Sequence, residues 1–385
     1  MRIQGYSSLV VVAVMAMSCT NVGETSAPQL RSPVRTSYNT WVKYEPEGAV
    51  CSDGSQYKFF ANFSRTSDNL LVSFEPGGAC WDYESCTGGV RGAANPHGIP
   101  DTHMDVWRIH TPLFLRNSPD NPMPDWNQVF IPYCTGDIHS GNNVAVYDDP
   151  SGENPPLTYR HNGHANVQAV IDWIHENFPT IPRMFVTGCS AGGVGAEVNY
   201  YFLRTSLPQV EQGYLLDDSG PIFPDGGNSD LLHAKIRTSW NVDPILDLLP
   251  AGFDHEDFGS INTFIADLFP EDRMGITFFR RDYNFSLYSY ERFYDHPPKE
   301  EIHRLFWEDT QSLTAQYDSR ENLSYYIPYY REYNDSHCVT ILGFGGTEIE
   351  ESRVDAADYI RNLLDNNVPQ QSYVESEQPT EDLPR

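Results

Sequence analysis

The sequence predicts an α/β fold, a mostly parallel central sheet lying between layers of helices. Three observations carry this. Helical and strand periodicities alternate through the middle of the chain, the succession that produces parallel strands. Two short apolar runs, residues 70–74 and 213–216, end abruptly in Gly- or Asp-rich turns, where such sheets place functional groups. Between them a third run, residues 184–186, breaks into Thr187-Gly188-Cys189-Ser190-Ala191-Gly192-Gly193. Ser190 has a glycine two residues to either side on a tight strand-to-helix turn, the pattern of a nucleophile elbow.

From the N-terminus, Arg2 is followed by an apolar run over residues 9–17, too short to span a bilayer and ending in small residues. Residues 1–19 are therefore expected to be an export signal. Ala16-Met17-Ser18-Cys19 matches a lipoprotein-type signal, with Cys19 as the lipid anchor, except at Ala16, where a larger aliphatic residue is usual. Residues 20–38 are polar and rich in Pro, Ser and Thr, a linker. One catalytic-sized domain over residues 39–368 follows. It opens with strands over 57–63 and 70–74, the second running into Glu75-Pro76-Gly77-Gly78-Ala79. Adjacent glycines after a buried strand free backbone N–H groups to face a ligand, as in an oxyanion hole. Residues 87–127 read as loops, 129–133 as a strand and 148–164 as another loop.

A helix opens at Asn166, with Val167, Val170, Ile171 and Ile174 on one face, and stops before Pro179. The elbow helix repeats the pattern through Val194, Val198 and Phe202. Residues 231–310 read as mostly helical, 325–330 as a last strand and 352–364 as a closing helix. Residues 369–385 are acidic and rich in Pro and Gln, a disordered tail.

Composition narrows the partners. The chain of 385 residues carries a net charge of -28 with 25 Lys and Arg, which excludes nucleic acid as a partner, since that affinity comes from neutralising phosphates. With Cys19 set aside, the remaining cysteines are Cys51, Cys80, Cys86, Cys134, Cys189 and Cys338, an even set that allows three disulfides in an exported chain.

Acyl transfer by Ser190 needs a base, an acid to orient it and donors for the oxyanion. His337 is the best base, in a short polar loop after an apolar strand. Asp282 and Asp218 compete as the acid, and spacing does not separate them. Asp137 and His139, in Cys134-Thr135-Gly136-Asp137-Ile138-His139, suit either loop organisation beside the site or, with Asp101, His103 and His110, a metal-dependent hydrolase. Tyr-rich segments over residues 283–294 and 325–330 offer either sugar-stacking faces or core packing.

Together FEPGGACWDYESC, IPYCTGDIHSG, RHNGHANVQAVIDWI, VTGCSAGGVGAEV, LLDDSGP and DSHCVTIL resemble, in this order, the pectinacetylesterase/Notum family, and its exported bacterial branch most. The resemblance spans about residues 40–365. It implies an α/β-hydrolase-like three-layer sandwich and a carboxylic-ester hydrolase needing no cofactor or metal. Ser190 resembles the nucleophile, His337 the base and Asp282 the acid. Gly78, Ala79 and Ala191 resemble the oxyanion donors, leaving Asp218 as a wall residue. The implied substrate is an acylated carbohydrate or a small ester, although the net charge of -28 makes an anionic pectin an awkward partner. The alternative is a non-catalytic glycan-binding or surface protein on the same fold.

Overall fold

A computed structural model describes residues 37–377. The expected export signal with Cys19, and all but the end of the linker, lie outside the described residues. Eleven strands follow in chain order: β1 (Trp41–Tyr44), β2 (Phe59–Asn62), β3 (Leu70–Phe74), β4 (Asn127–Ile131), β5 (Asn143–Tyr147), β6 (Leu157–His161), β7 (Ile181–Cys189), β8 (Val210–Asp218), β9 (Arg273–Thr277), β10 (Leu323–Ile327) and β11 (Tyr373–Val374). Nine of them form one sheet in the order β1-β2-β4-β3-β7-β8-β9-β10-β11, and β5 pairs with β6 apart from it. The β1–β2 and β2–β4 pairs are antiparallel and every later pair is parallel. β3, β4 and most of β7 are buried at every position, so the sheet is covered on both faces. The mostly parallel α/β-hydrolase-like sandwich is as expected.

The helices are α1 (Tyr83–Thr87), α2 (His103–Trp107), α3 (Gly163–Asn177), α4 (Ala191–Ser206), α5 (Asp230–Trp240), α6 (Asp243–Leu246), α7 (Ile261–Leu268), α8 (Tyr283–Tyr290), α9 (Lys299–Tyr317) and α10 (Ala356–Leu364). In α3, Val167, Val170, Ile171 and Ile174 are all fully buried, as their spacing requires.

The sequence reading differs from the structure in several places, among them α2 within the segment read as loops and β10, which spans Leu323–Ile327 rather than 325–330. β4 spans Asn127–Ile131 rather than 129–133 and stops before Pro132, which has no N–H for the ladder. Residues 157–161 form β6 rather than a loop. β9 lies within the segment read as helical. Within the segment expected to be a loose tail, residues 373–374 instead join the sheet. Tyr373 and Val374 pair with Tyr326 and Ile327, and the Glu375 N–H donates to Ile327 O at 2.9 Å. The Glu375 carboxylate accepts the Tyr329 N–H at 2.6 Å, while Tyr373 packs edge-on against Tyr326. The open edge of β10 supplies partners that outweigh a polar composition.

Six cysteines pair as Cys51–Cys134, Cys80–Cys86 and Cys189–Cys338. No helix among the described residues is long and apolar enough to cross a membrane.

One pair of acids sits under α4 without a cation. Asp217 Oδ1 stands 2.0 Å from where a Gly193 Cβ would be, so only glycine admits it there. Glu197 lies one turn along the same side of α4. Both residues are 1% exposed. Glu197 Oε2 and both Asp217 carboxylate oxygens have no hydrogen-bond partner among the described residues. Burial raises Glu197 to about 8, and burial followed by the Glu197 charge raises Asp217 far above the carboxylate range. The folded chain therefore binds protons that the unfolded chain releases above its ordinary carboxylate pKa of 4.5. Stability is full below that pH and declines as pH rises through about 8. Glu197→Gln is expected to flatten the decline, adding on the order of 1–3 kcal/mol at pH ~9. Thermal unfolding followed from pH 5 to pH 9 reads it.

Candidate active site

β7 delivers Ser190 at its C-terminal end. Ser190 has φ 57° and ψ -124°, a conformation costly for a residue with a Cβ. The turn survives because its surroundings fix it. Ser190 N–H donates to Asp218 O at 2.7 Å, and Gly193 and Val194 N–H groups donate back to Ser190 O. A Cβ on Gly188 would come within 2.3 Å of Gly192 O, and one on Gly192 within 2.3 Å of Phe74 O. The two glycines of the elbow are required by this crowding against the end of β3.

The candidate acid Asp282 lies in the turn between β9 and α8. Asp282, fully buried, caps α8 by accepting the Phe285 N–H at 2.9 Å. Its carboxylate meets His337, with Oδ2 at 2.8 Å and Oδ1 at 3.1 Å from Nδ1. A carboxylate can only accept, so Nδ1 carries the hydrogen and Nε2 keeps a free lone pair. Burial lowers the His337 pKa, but the Asp282 charge and hydrogen bond, with the Asp218 charge, outweigh it and leave the imidazole above its usual 6.5.

Asp218, the competing acid, lies elsewhere. It is fully buried, and its two oxygens accept the N–H groups of Val339 and Thr340 (2.8 Å each) and the hydroxyls of Thr340 (2.7 Å) and Ser219 (3.0 Å). It pins the strap that follows His337 and touches neither His337 nor a cavity. The Cys189–Cys338 disulfide joins the residue before Ser190 to the residue after His337.

Asp137 also stays out of the cavities. It is buried, accepts Thr135 Oγ1 at 2.6 Å and Gly163 N–H at 2.8 Å, and burial raises it to about 6. It organises the loop beneath the site. The five residues that would have formed a metal set are dispersed: Asp101 bonds Lys43 and Lys58, His103 bonds Glu75 Oε2, and His139 bonds Glu75 O. His110 lines a cavity without them.

Two cavities meet at Ser190. One, about 550 Å³ counted to its open mouth, is walled by Trp81, Ile138, Val194, Ile222, Ile236 and Trp240, with Gly78, Ala79 and Ala191 at the serine. The other, about 750 Å³ on the same count, is more polar and holds His337, Arg91, His110, Asn284 and Asn334. Gly78, Ser190 and Tyr288 line both and form the partition. Ser190 and His337 share the polar cavity without a direct hydrogen bond, a gap that closes on substrate in many enzymes.

The N–H groups of Gly78 and Ala191 have no acceptor among the described residues. The Ala79 N–H faces the Tyr288 hydroxyl, which itself donates to Gly92 O at 3.1 Å. Tyr288 is thus a site residue that sequence reading grouped with its neighbouring tyrosines. Tyr290, Tyr326 and Tyr329 are core residues, and Tyr325 lines neither cavity.

A family model described as pectinacetylesterase matches residues 34–239, more than half of the chain, including Ser190 and Gly78 but stopping short of Asp282 and His337. Pectin acetylesterase 7 of Arabidopsis thaliana is 27% identical over 223 residues, 56% of this chain and 50% of its own length. Palmitoleoyl-protein carboxylesterase notum2 of Xenopus laevis is 27% identical over 154 residues, 39% of this chain and 29% of its own. The NOTUM carboxylesterase of Drosophila melanogaster is 29% identical over 167 residues, 41% and 23% of the two chains. The chain spans half or less of the length of these relatives.

Proposed function

The chain belongs to the pectinacetylesterase family, and from that premise we propose that it is a serine carboxylic-ester hydrolase removing acetyl or other short acyl groups. Ser190 Oγ attacks the ester carbonyl while His337 Nε2 takes its proton, and Asp282 holds the imidazole and balances its charge. The oxyanion rests on the Gly78 and Ala191 N–H groups, with Ala79 joining as Tyr288 yields its N–H. The alkoxide leaves with the proton from His337, and water repeats the sequence on the acyl-serine. The observation that supports this most is the Asp282–His337 pair opening into the cavity that Ser190 lines.

The two cavities suggest which half goes where. The proton must reach the leaving alcohol, so the alcohol takes the polar side with His337, and the acyl group takes the apolar side. A carbohydrate hydroxyl suits a wall of Arg91, Asn284 and Asn334. Three disulfides and the apolar N-terminal run favour an exported protein, secreted or held at an envelope through Cys19.

A fluorophosphonate probe is expected to label Ser190 alone, and Ser190→Ala is expected to abolish both labelling and hydrolysis of 4-nitrophenyl acetate. Full activity in that variant would defeat the reading. The base must be neutral to act, so kcat/KM should rise with pH along a limb centred above 6.5. Arg91 pulls the His337 pKa down, and Arg91→Gln should move that limb to higher pH.

A further inference from the structure

The apolar cavity holds a polar side chain that a plain hydrocarbon tail would leave unused. His233 stands on α5 among Leu232, Ile236, Trp240 and Phe258 and lines the space that opens onto Ser190. Its ring packs edge-on against Phe258, with centroids 5.4 Å apart. Neither ring nitrogen has a hydrogen-bond partner among the described residues. His139 spends a nitrogen on Glu75 O and His161 one on Thr135 O, while His303, which also leaves both ring nitrogens unpaired, does not line this cavity. Neighbouring polar groups of the cavity are likewise spent, the Trp240 indole N–H on Cys80 O at 2.7 Å and the Tyr288 hydroxyl on Gly92 O. Burial holds the His233 ring near 4, with Asp225 raising it and Arg237 lowering it slightly, so it is neutral at neutral pH. A neutral imidazole offers one donor and one acceptor.

A polar ring on the wall of an apolar cavity offers its donor and acceptor to whatever fills that cavity, which Leu or Phe at this place would not. We propose that the cavity takes an acyl chain bearing its own hydrogen-bonding oxygen, a hydroxyacyl or oxoacyl group, and that His233 is the residue selecting it. The proposal rests on the serine-esterase reading above, since it assigns the acyl side of that site.

The test compares 4-nitrophenyl esters of butanoate with 3-hydroxybutanoate, and of pentanoate with 4-oxopentanoate, on wild type, His233→Phe and His233→Gln. The expected kcat/KM ratio of oxygenated to plain ester is about tenfold or more in wild type, collapsing in His233→Phe and partly kept in His233→Gln. An equal ratio in wild type and His233→Phe would overturn it. Binding of the corresponding methyl esters to Ser190→Ala, by calorimetry, separates the two readings. A preference for the oxygenated ester that His233→Phe removes in the Ser190→Ala background supports the pocket even if wild type hydrolyses nothing. Equal affinities overturn the pocket assignment while leaving the serine reading intact.

Discussion

Asp282→Asn is expected to fold normally and to hydrolyse esters about 10⁴-fold more slowly than wild type. The amide keeps an oxygen for the Phe285 N–H, so the cap of α8 survives in part. What it loses is a charge beside His337 and the guarantee that Nδ1 carries the hydrogen. An amide group turned toward Nδ1 demands a lone pair there and moves the proton to Nε2, where a base is needed. Asp218→Asn should behave in the opposite way. Asp218 accepts from Val339, Thr340 and Ser219 with both oxygens, and an amide nitrogen in either place opposes a donor with a donor. The expected result is a stability loss of about 2–4 kcal/mol with a much smaller loss of turnover. Urea unfolding alongside kcat/KM distinguishes the two variants, and interchange of their phenotypes would make Asp218 the acid.

Removing the Cys189–Cys338 bond, as Cys189→Ala with Cys338→Ala, is expected to be far more destabilising than removing Cys80–Cys86. It closes 149 residues, against 6 for Cys80–Cys86. Loop-closure entropy makes these worth about 5 and about 2 kcal/mol respectively. A loss of about 5 kcal/mol is a large share of the ~5–15 kcal/mol that holds a domain together. The melting temperature should fall by about 10 °C or more. Calorimetry on the two double variants ranks them, and equal losses would show that the denatured chain is not what the long bond constrains.

The elbow was legible in the sequence because its requirements are local: a strand, a serine and glycines where backbones crowd. β3 was legible for the same reason, and its Gly-Gly turn pointed to the cavity mouth. Asp282 was not separable from Asp218 by spacing, because both follow sheet strands and only the distance to His337, 55 residues further on, divides them. Resemblance carried that choice. β9, Arg-Met-Gly-Ile-Thr, escaped because five residues with one glycine lack enough alternation to announce a strand between helices. The apolar cavity escaped entirely. Its walls come from residues 78–81, 138, 190–194, 221–240, 258 and 285–288, and no periodicity within one segment marks a surface shared among six. Residues 373–374 escaped because their partner, not their composition, orders them.

The partition formed by Gly78, Ser190 and Tyr288 has a kinetic corollary. On the proposed assignment of the two ester halves to the two cavities, the departing alcohol would vacate its side while the acyl half stays seated. The emptied side is then open to any hydroxyl compound, and water holds no privileged claim on the acyl-serine. Added alcohols should accordingly divert the acyl group into new esters in proportion to their occupancy of the polar groove, and two-substrate kinetics should follow parallel reciprocal lines.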